Sequence, residues 1–212
     1  MYRSWGAELP DWLDVCPVQL PGRSNRLDEP PVTDMQELVY LFLQAVDGLL
    51  DRPIVLFGHS MGAAIAFAVA HRLGAQVAHV FAAGRSAPRG PHPGDLHRLD
   101  DAALERYLIR LGATPPIVFT DPELRAHVLA LLRADLTLND SYSDDRPLTA
   151  TPLTVLGGSD DPEVSPDALE GWRGLTGGRF CRVVLPGDHF FLATSRQAVL
   201  RLLVRSLEAT AP

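Results

Sequence analysis

The stretch PIVLFGHSMGAAIAFAVAHRL, residues 53–73, decides the fold. Its first part, PIVLFG, is a continuous apolar run of strand length, as expected where a parallel strand is covered on both faces. MGAAIAFAVAHRL follows without a linker and is long and alanine-rich, which favours helix. QVAHVFAAG, residues 76–84, reads as a second strand. Strand, helix and strand in immediate succession imply a βαβ unit and a parallel sheet.

Upstream, WLDVCPVQLPG (12–22) reads as a short strand stopped by Pro21 and Gly22. TDMQELVYLFLQAVDGLL (33–50) reads as a helix with Thr33 as N-cap and Gln36 at the capping-box position. Downstream the alternation stops near Pro88. Residues 88–150 contain two polar helices, near 101–111 and 122–135, separated by GATPPIVFT. Asp121 caps the second, with Pro122 in its first position. This segment holds no buried parallel strand, so it is expected to form a lid over the sheet. The pattern then resumes with PLTVLGG as strand, SPDALEGWRGL as capped helix, FCRVVLPG as strand and ATSRQAVLRLLVRSLEA as closing helix. The expectation is one α/β domain over 1–212, a mostly parallel sheet with helices on both faces and a lid at about 88–150.

Composition excludes several functions. The 212 residues are 46% hydrophobic and 21% charged, the proportions of a soluble domain with a core it can bury. The net charge is −7 with no basic stripe, so no nucleic-acid partner is expected. No apolar run reaches the roughly 18 residues of a membrane span, and MYRSWGAELP has no signal-peptide pattern. All 19 basic residues are Arg, which rules out a Schiff-base or Walker-type lysine. Cys16 and Cys181 each sit in an apolar strand-like run and are expected to be buried and reduced, without a metal or catalytic role. A cytoplasmic location follows as the expectation.

The chemistry centres on Gly58-His59-Ser60-Met61-Gly62. The bare pattern Gly-x-Ser-x-Gly arises by chance in about one chain in fifteen of this length. Its position at a junction of buried strand and helix is where a nucleophile elbow must lie. A Cβ at Gly58 or Gly62 is expected to clash with neighbouring backbone. The helix beginning at Met61 aims its free N–H groups at the serine. A serine nucleophile needs a base, and the base an orienting carboxylate, in the order Ser, acid, His. Past the lid the only histidine is His189, in LPGDHFFLA. His71 and His79 flank an early helix–strand connection; His92, His97 and His127 fall in the lid and are expected to be solvated. His59 is expected to point off the elbow and help hold the turn. For the acid, Asp160 and Asp161 both follow the strand PLTVLGG, and spacing does not separate them; an Asx turn ahead of Pro162 is the competing use of these aspartates. Asp188 adjoins His189 and is a poor orienter.

These residues resemble the type II thioesterases that accompany polyketide and nonribosomal peptide synthases, within the α/β-hydrolase superfamily. The likeness runs over nearly the whole chain: VQLPGRSNRLDEPP for the loop after the early strand, LFGHSMGAAIAF for the elbow, LGATPP with DPELRAHVLALLRADLTLNDSY for the lid, GGSDDPEVSPDALEGWR and LPGDHFFL for the acid and histidine segments. The lid and DHFFL segments are more specific than the elbow. The resemblance implies Ser60 as nucleophile, His189 as base and, because the family's acid directly precedes proline, Asp161. It implies hydrolysis of acyl thioesters on the phosphopantetheine arm of a carrier protein, the chain acting as a monomer without metal or bound cofactor. Two other readings stay open: an esterase of free esters or lipids, and a non-catalytic scaffold binding acyl chains or carriers.

Family members begin with a strand and a loop resembling FPHAGG ahead of the helix that contains YRSW. The sequence given begins at Met1, inside or just ahead of that helix. The Met61 N–H is therefore expected to supply one oxyanion donor. The second is expected from that loop, and its loss would cost about 3–4 kcal/mol of transition-state stabilisation. An interior strand is expected to be missing with it, at a cost in stability.

Overall fold

A computed structural model describes residues 2–89, 95–112 and 114–209. Its centre is a four-stranded, all-parallel sheet in the order β1 (Ile54–His59), β2 (Val77–Ala83), β3 (Leu153–Gly158), β4 (Phe180–Leu185). Spatial order follows chain order. The register pairs His59 with Ala83, Ala83 with Leu156 and Gly158 with Leu185, so the carboxyl ends of all four strands come out on one side.

The strands read as apolar runs because both faces are covered. On one face lie α1 (Met35–Val46) and α2 (Met61–Leu73), the latter sinking Phe67, Val69 and five alanines against Val80, Ala82, Leu153 and Val155. The small alanines let this helix approach the sheet closely. On the other face Phe81, Ala83 and Leu156 meet Trp5 and the closing helix, α7 (Arg196–Glu208). Alternation along β2 thus sends Phe81 and Ala83 to one core and Val80 and Ala82 to the other.

Between β2 and β3 runs the lid: α3 (Asp101–Leu111), α4 (Ile117–Thr120) and α5 (Pro122–Ser141). It has its own apolar cluster of Leu104, Leu108, Leu129 and Leu136. Asp121 caps α5 by accepting from the amides of Glu123 and Leu124, both at 3.0 Å, with Pro122 at the first position. α5 runs six residues beyond the expected end at 135. α4 falls inside GATPPIVFT, which carries no helical periodicity long enough to read.

Several expectations fail for identifiable reasons. Residues 12–20 form no strand: β1 pairs on one side only, with β2, and among the described residues nothing offers this segment a ladder. Cys16 is accordingly exposed rather than buried, and Cys181, on β4, is half-buried; both are free. The cap of α1 is Asp34, whose carboxylate accepts from the Glu37 amide at 2.8 Å; the helix begins one residue later than Thr33 requires. SPDALEGWRGL winds as a 3₁₀ helix over Pro166–Leu175, still capped by Ser165. The closing segment breaks at Ser195 into α6 (Phe191–Thr194) and α7.

Candidate active site

Four loops leave the carboxyl ends of the strands, and each brings one piece of the site. This is where an open parallel sheet presents ligands. Ser60 follows β1 directly and holds φ 55°, ψ −120°, a conformation that L residues rarely adopt. Its amide donates to the Ala83 carbonyl at 2.8 Å, tying the turn to the end of β2. A Cβ at Gly58 would overlap the Gly62 carbonyl and crowd the Ala63 amide, so strand and helix could not meet at this angle. The expectation for Gly62 does not hold: a Cβ there meets nothing within 4 Å. The crowding comes from Gly62's carbonyl bearing on Gly58, and Gly62's own side is open.

α2 starts at Met61, so the Met61 amide belongs to the helix's first turn and has no partner within the helix. It adds to the partial positive charge that the helix end presents beside Ser60.

The loop after β3 supplies Asp161, the loop after β4 His189; both are buried. His189 Nδ1 lies 2.9 Å from Asp161 Oδ2. A carboxylate only accepts, so Nδ1 carries the proton and Nε2 is left as the basic nitrogen. Asp161 Oδ1 accepts from the amides of Glu163 (2.8 Å) and Val164 (3.2 Å). The Asx turn and the contact to histidine, alternatives in the sequence, are both present, one on each oxygen. Burial opposes ionisation of Asp161, but the hydrogen bonds from His189 and the Glu163 amide outweigh it and hold the carboxyl below its usual range. Asp160 points elsewhere: it is exposed and accepts from Ser159 Oγ at 2.8 Å. Asp188 is likewise turned away and accepts from the Phe190 amide.

Among the hydrogen bonds of the described residues none joins Ser60 Oγ to His189. A contact of this kind often tightens only with substrate bound. The two are neighbours through His59, whose Nε2 is 2.7 Å from the His189 carbonyl oxygen and whose ring centroid is 4.8 Å from that of His189. His59 therefore grips the histidine loop, where the sequence suggested only a role in the turn.

The remaining histidines separate. His79 is buried in β2 with Nε2 2.9 Å from Thr154 Oγ1. His97, expected in solvent, sits against Asp140 at 3.0 Å on the lid, because α5 runs on far enough to carry that carboxylate past it. His127 is exposed, and His92 lies outside the described residues. Gly84 and the amides of Glu163 and Val164 are site components that sequence reasoning missed. The Asx turn expected ahead of Pro162 pointed to these amides, but as a rival to the acid's role and not as part of the site; Gly84 carries no such sign. Among the described residues no group of three or more His, Cys, Asp or Glu could hold a metal ion, and no helix is long and apolar enough to cross a membrane.

Comparison with known proteins agrees with this architecture. The thioesterase domain family matches residues 1–207. The chain is 39% identical to the linear gramicidin dehydrogenase LgrE of Brevibacillus parabrevis, over 99% of this chain and 83% of that one. It superposes on the RedJ thioesterase from the prodiginine pathway of Streptomyces coelicolor with a TM-score of 0.87 at 36% identity, covering 95% of this chain and 83% of that one. It also superposes on YbtT, a type II thioesterase from the yersiniabactin NRPS/PKS pathway, with a TM-score of 0.83 at 30% identity, covering 91% and 81%. The chain therefore belongs to the thioesterase domain family, on the α/β-hydrolase fold.

Proposed function

We propose that this thioesterase hydrolyses acyl groups from the phosphopantetheine arms of carrier proteins in polyketide or nonribosomal peptide synthesis, with Ser60, His189 and Asp161 as its triad. The observation that carries the reading is the 2.9 Å contact of His189 Nδ1 with Asp161, on loops that converge beside a serine in strained backbone. Asp161 fixes the tautomer, so His189 Nε2 takes the Ser60 proton as Oγ attacks the thioester carbonyl. The tetrahedral oxyanion meets the Met61 amide at the start of α2. Collapse breaks the C–S bond, the departing sulfur takes the proton from His189 Nε2 and leaves as the thiol, and the acyl group stays on Ser60 Oγ. The neutral His189 then removes a proton from water, whose oxygen attacks the acyl-serine, and returns that proton to Ser60 Oγ as the acid leaves. No step calls for a metal or a bound cofactor.

A second reading comes from the dehydrogenase named among the relatives. A dinucleotide bound at the first strand of an open parallel sheet rests its pyrophosphate on a glycine-rich turn, whereas the turn after β1 presents Ser60, with Gly58 pressed against the carbonyl of Gly62. Hydrolysis is the better supported. Incubation with acetyl- or propionyl-carrier protein should release free acid, and a fluorophosphonate should label Ser60. Ser60→Ala should abolish both. Oxidation of reduced nicotinamide in the presence of an aldehyde, without acid release from the carrier, would establish the dehydrogenase reading instead.

A further inference from the structure

We propose that His59 is a positioning residue for the base: by holding the backbone of His189 it sets that imidazole against the nucleophile. The inference rests on the triad reading above. His59 is the last residue of β1 and directly precedes Ser60, so whatever its ring grips is referenced to the nucleophile's own backbone. It grips the carbonyl of His189 at 2.7 Å. A carbonyl cannot donate, so the proton lies on His59 Nε2 and the ring is the Nε2–H tautomer.

The surroundings have the character of a built seat. Phe190 and Phe191 stand 6.0 and 6.1 Å from the His59 ring centroid, and the His189 ring 4.8 Å away at a tilt of 56°. The fourth side is Gly84, just past β2 at φ +60°. A Cβ there would come within 2.6 Å of His59 Nε2 and 3.6 Å of His189 Cε1. Glycine at 84 keeps open the space that the clamp occupies. Burial, and next the neighbouring His189, lower the His59 pKa to about 4, so the ring is neutral when His189 accepts a proton and becomes a cation beside it. A neutral donor fixes the loop without repelling the charge that forms during the reaction.

Asp161 aligns His189 from the side-chain end; His59 does so from the main-chain end. With one tether gone the imidazole can still pair with Asp161, but the loop's placement relative to Ser60 loosens. Misplacement on this scale typically costs turnover rather than binding.

The test compares His59→Phe, which keeps a ring and removes the donor, with His59→Gln, whose amide can still donate. His59→Phe should lower kcat on acyl-carrier protein by about 10- to 100-fold, leave KM within about 3-fold, and shift or broaden the low-field proton signal of His189 Nδ1–H. His59→Gln should recover most of the loss. A folded His59→Phe with wild-type kcat would overturn the inference, as would equal impairment of both variants with the His189 signal unmoved. If His59→Phe fails to fold, the wild-type protein decides: ¹⁵N shifts should report the Nε2–H tautomer at His59, and the Nδ1–H tautomer would overturn it. Wild-type hydrolysis that Ser60→Ala silences upholds the functional reading separately, so a null at His59 in that background counts against this inference alone.

Discussion

Asp161 divides its two oxygens between structure and chemistry: Oδ1 closes the turn onto Glu163 and Val164, and Oδ2 faces His189. An amide at this position can keep only part of that set. Asn can accept the two backbone amides through its carbonyl, but its NH₂ then faces the Nδ1–H of His189, donor against donor, and the imidazole is driven to the wrong tautomer. Asp161→Asn should therefore lower kcat by about 10³- to 10⁴-fold while leaving the fold in place. Asp160→Asn alters an exposed carboxylate held by Ser159 and should stay within about a factor of two. Carrier-thioester hydrolysis by the two purified variants gives the comparison; similar rates would remove Asp161 from the orienting role. Spacing narrows this choice to two adjacent aspartates and no further, and only the family resemblance, through Pro162, favours Asp161. Spacing along a chain says which loop carries the acid, but the turn's hydrogen bonds decide which of two neighbours faces inward.

Elements were more legible than the contacts between them. Strands and helices that read from continuous apolar runs, such as β1, α2 and β2, need only burial on both faces to form. Segments that need a partner were read less well. Residues 12–20 are apolar and of strand length but have no neighbouring strand among the described residues. α4 and the far end of α5 depend on packing within the lid, where Phe119 and Leu132 join the Leu104–Leu108–Leu129–Leu136 cluster. Helix starts show the same division. Thr33 and Asp34 are both good caps, and the backbone settles on Asp34, whose side chain meets the Glu37 amide. Asp34→Ala should lower stability by about 1 kcal/mol, and Thr33→Ala by no more than about 0.5 kcal/mol. Urea denaturation of the two variants tests the order, and a larger loss at Thr33 would move the cap back by one residue. Neither residue lies in the triad, so thioester turnover should be unchanged in both.

On the scale of the whole molecule, the two cores and the site together enclose imidazoles that fold neutral. The His59 ring is lowered to about 4 by burial and then by the charge of His189; His79 is lowered to about 4 by burial and then by Arg179. His71 is shifted the same way, burial outweighing the pull of Asp144. In the unfolded chain each of these rings titrates near 6.5. At these rings the unfolded state therefore binds more protons than the folded one between about pH 6.5 and pH 4. Their contribution to stability falls as pH falls through that window, opposed among the described residues only by Asp135, whose carboxyl is pushed up by burial against the pull of Arg23. Above pH 6.5 the contribution is fully present and flat. The carboxyls held below their usual range, Asp144 by its hydrogen bond with Arg146 and Asp161 by its pairing with His189 despite burial, act only under about pH 4, so they do not confound the upper window. At pH 5 a shift of this kind corresponds to about 2 kcal/mol for each of His59 and His79. That is a substantial share of the 5–15 kcal/mol available to a domain. Urea unfolding at pH 7, 6 and 5 should show the midpoint falling steadily at constant slope, with His79→Gln removing about half of the fall. A midpoint unchanged from pH 7 to pH 5 would mean that these rings take up protons within the folded protein. Both would then be open to water in solution, and the enclosed seat of His59 against the His189 loop would not exist as described.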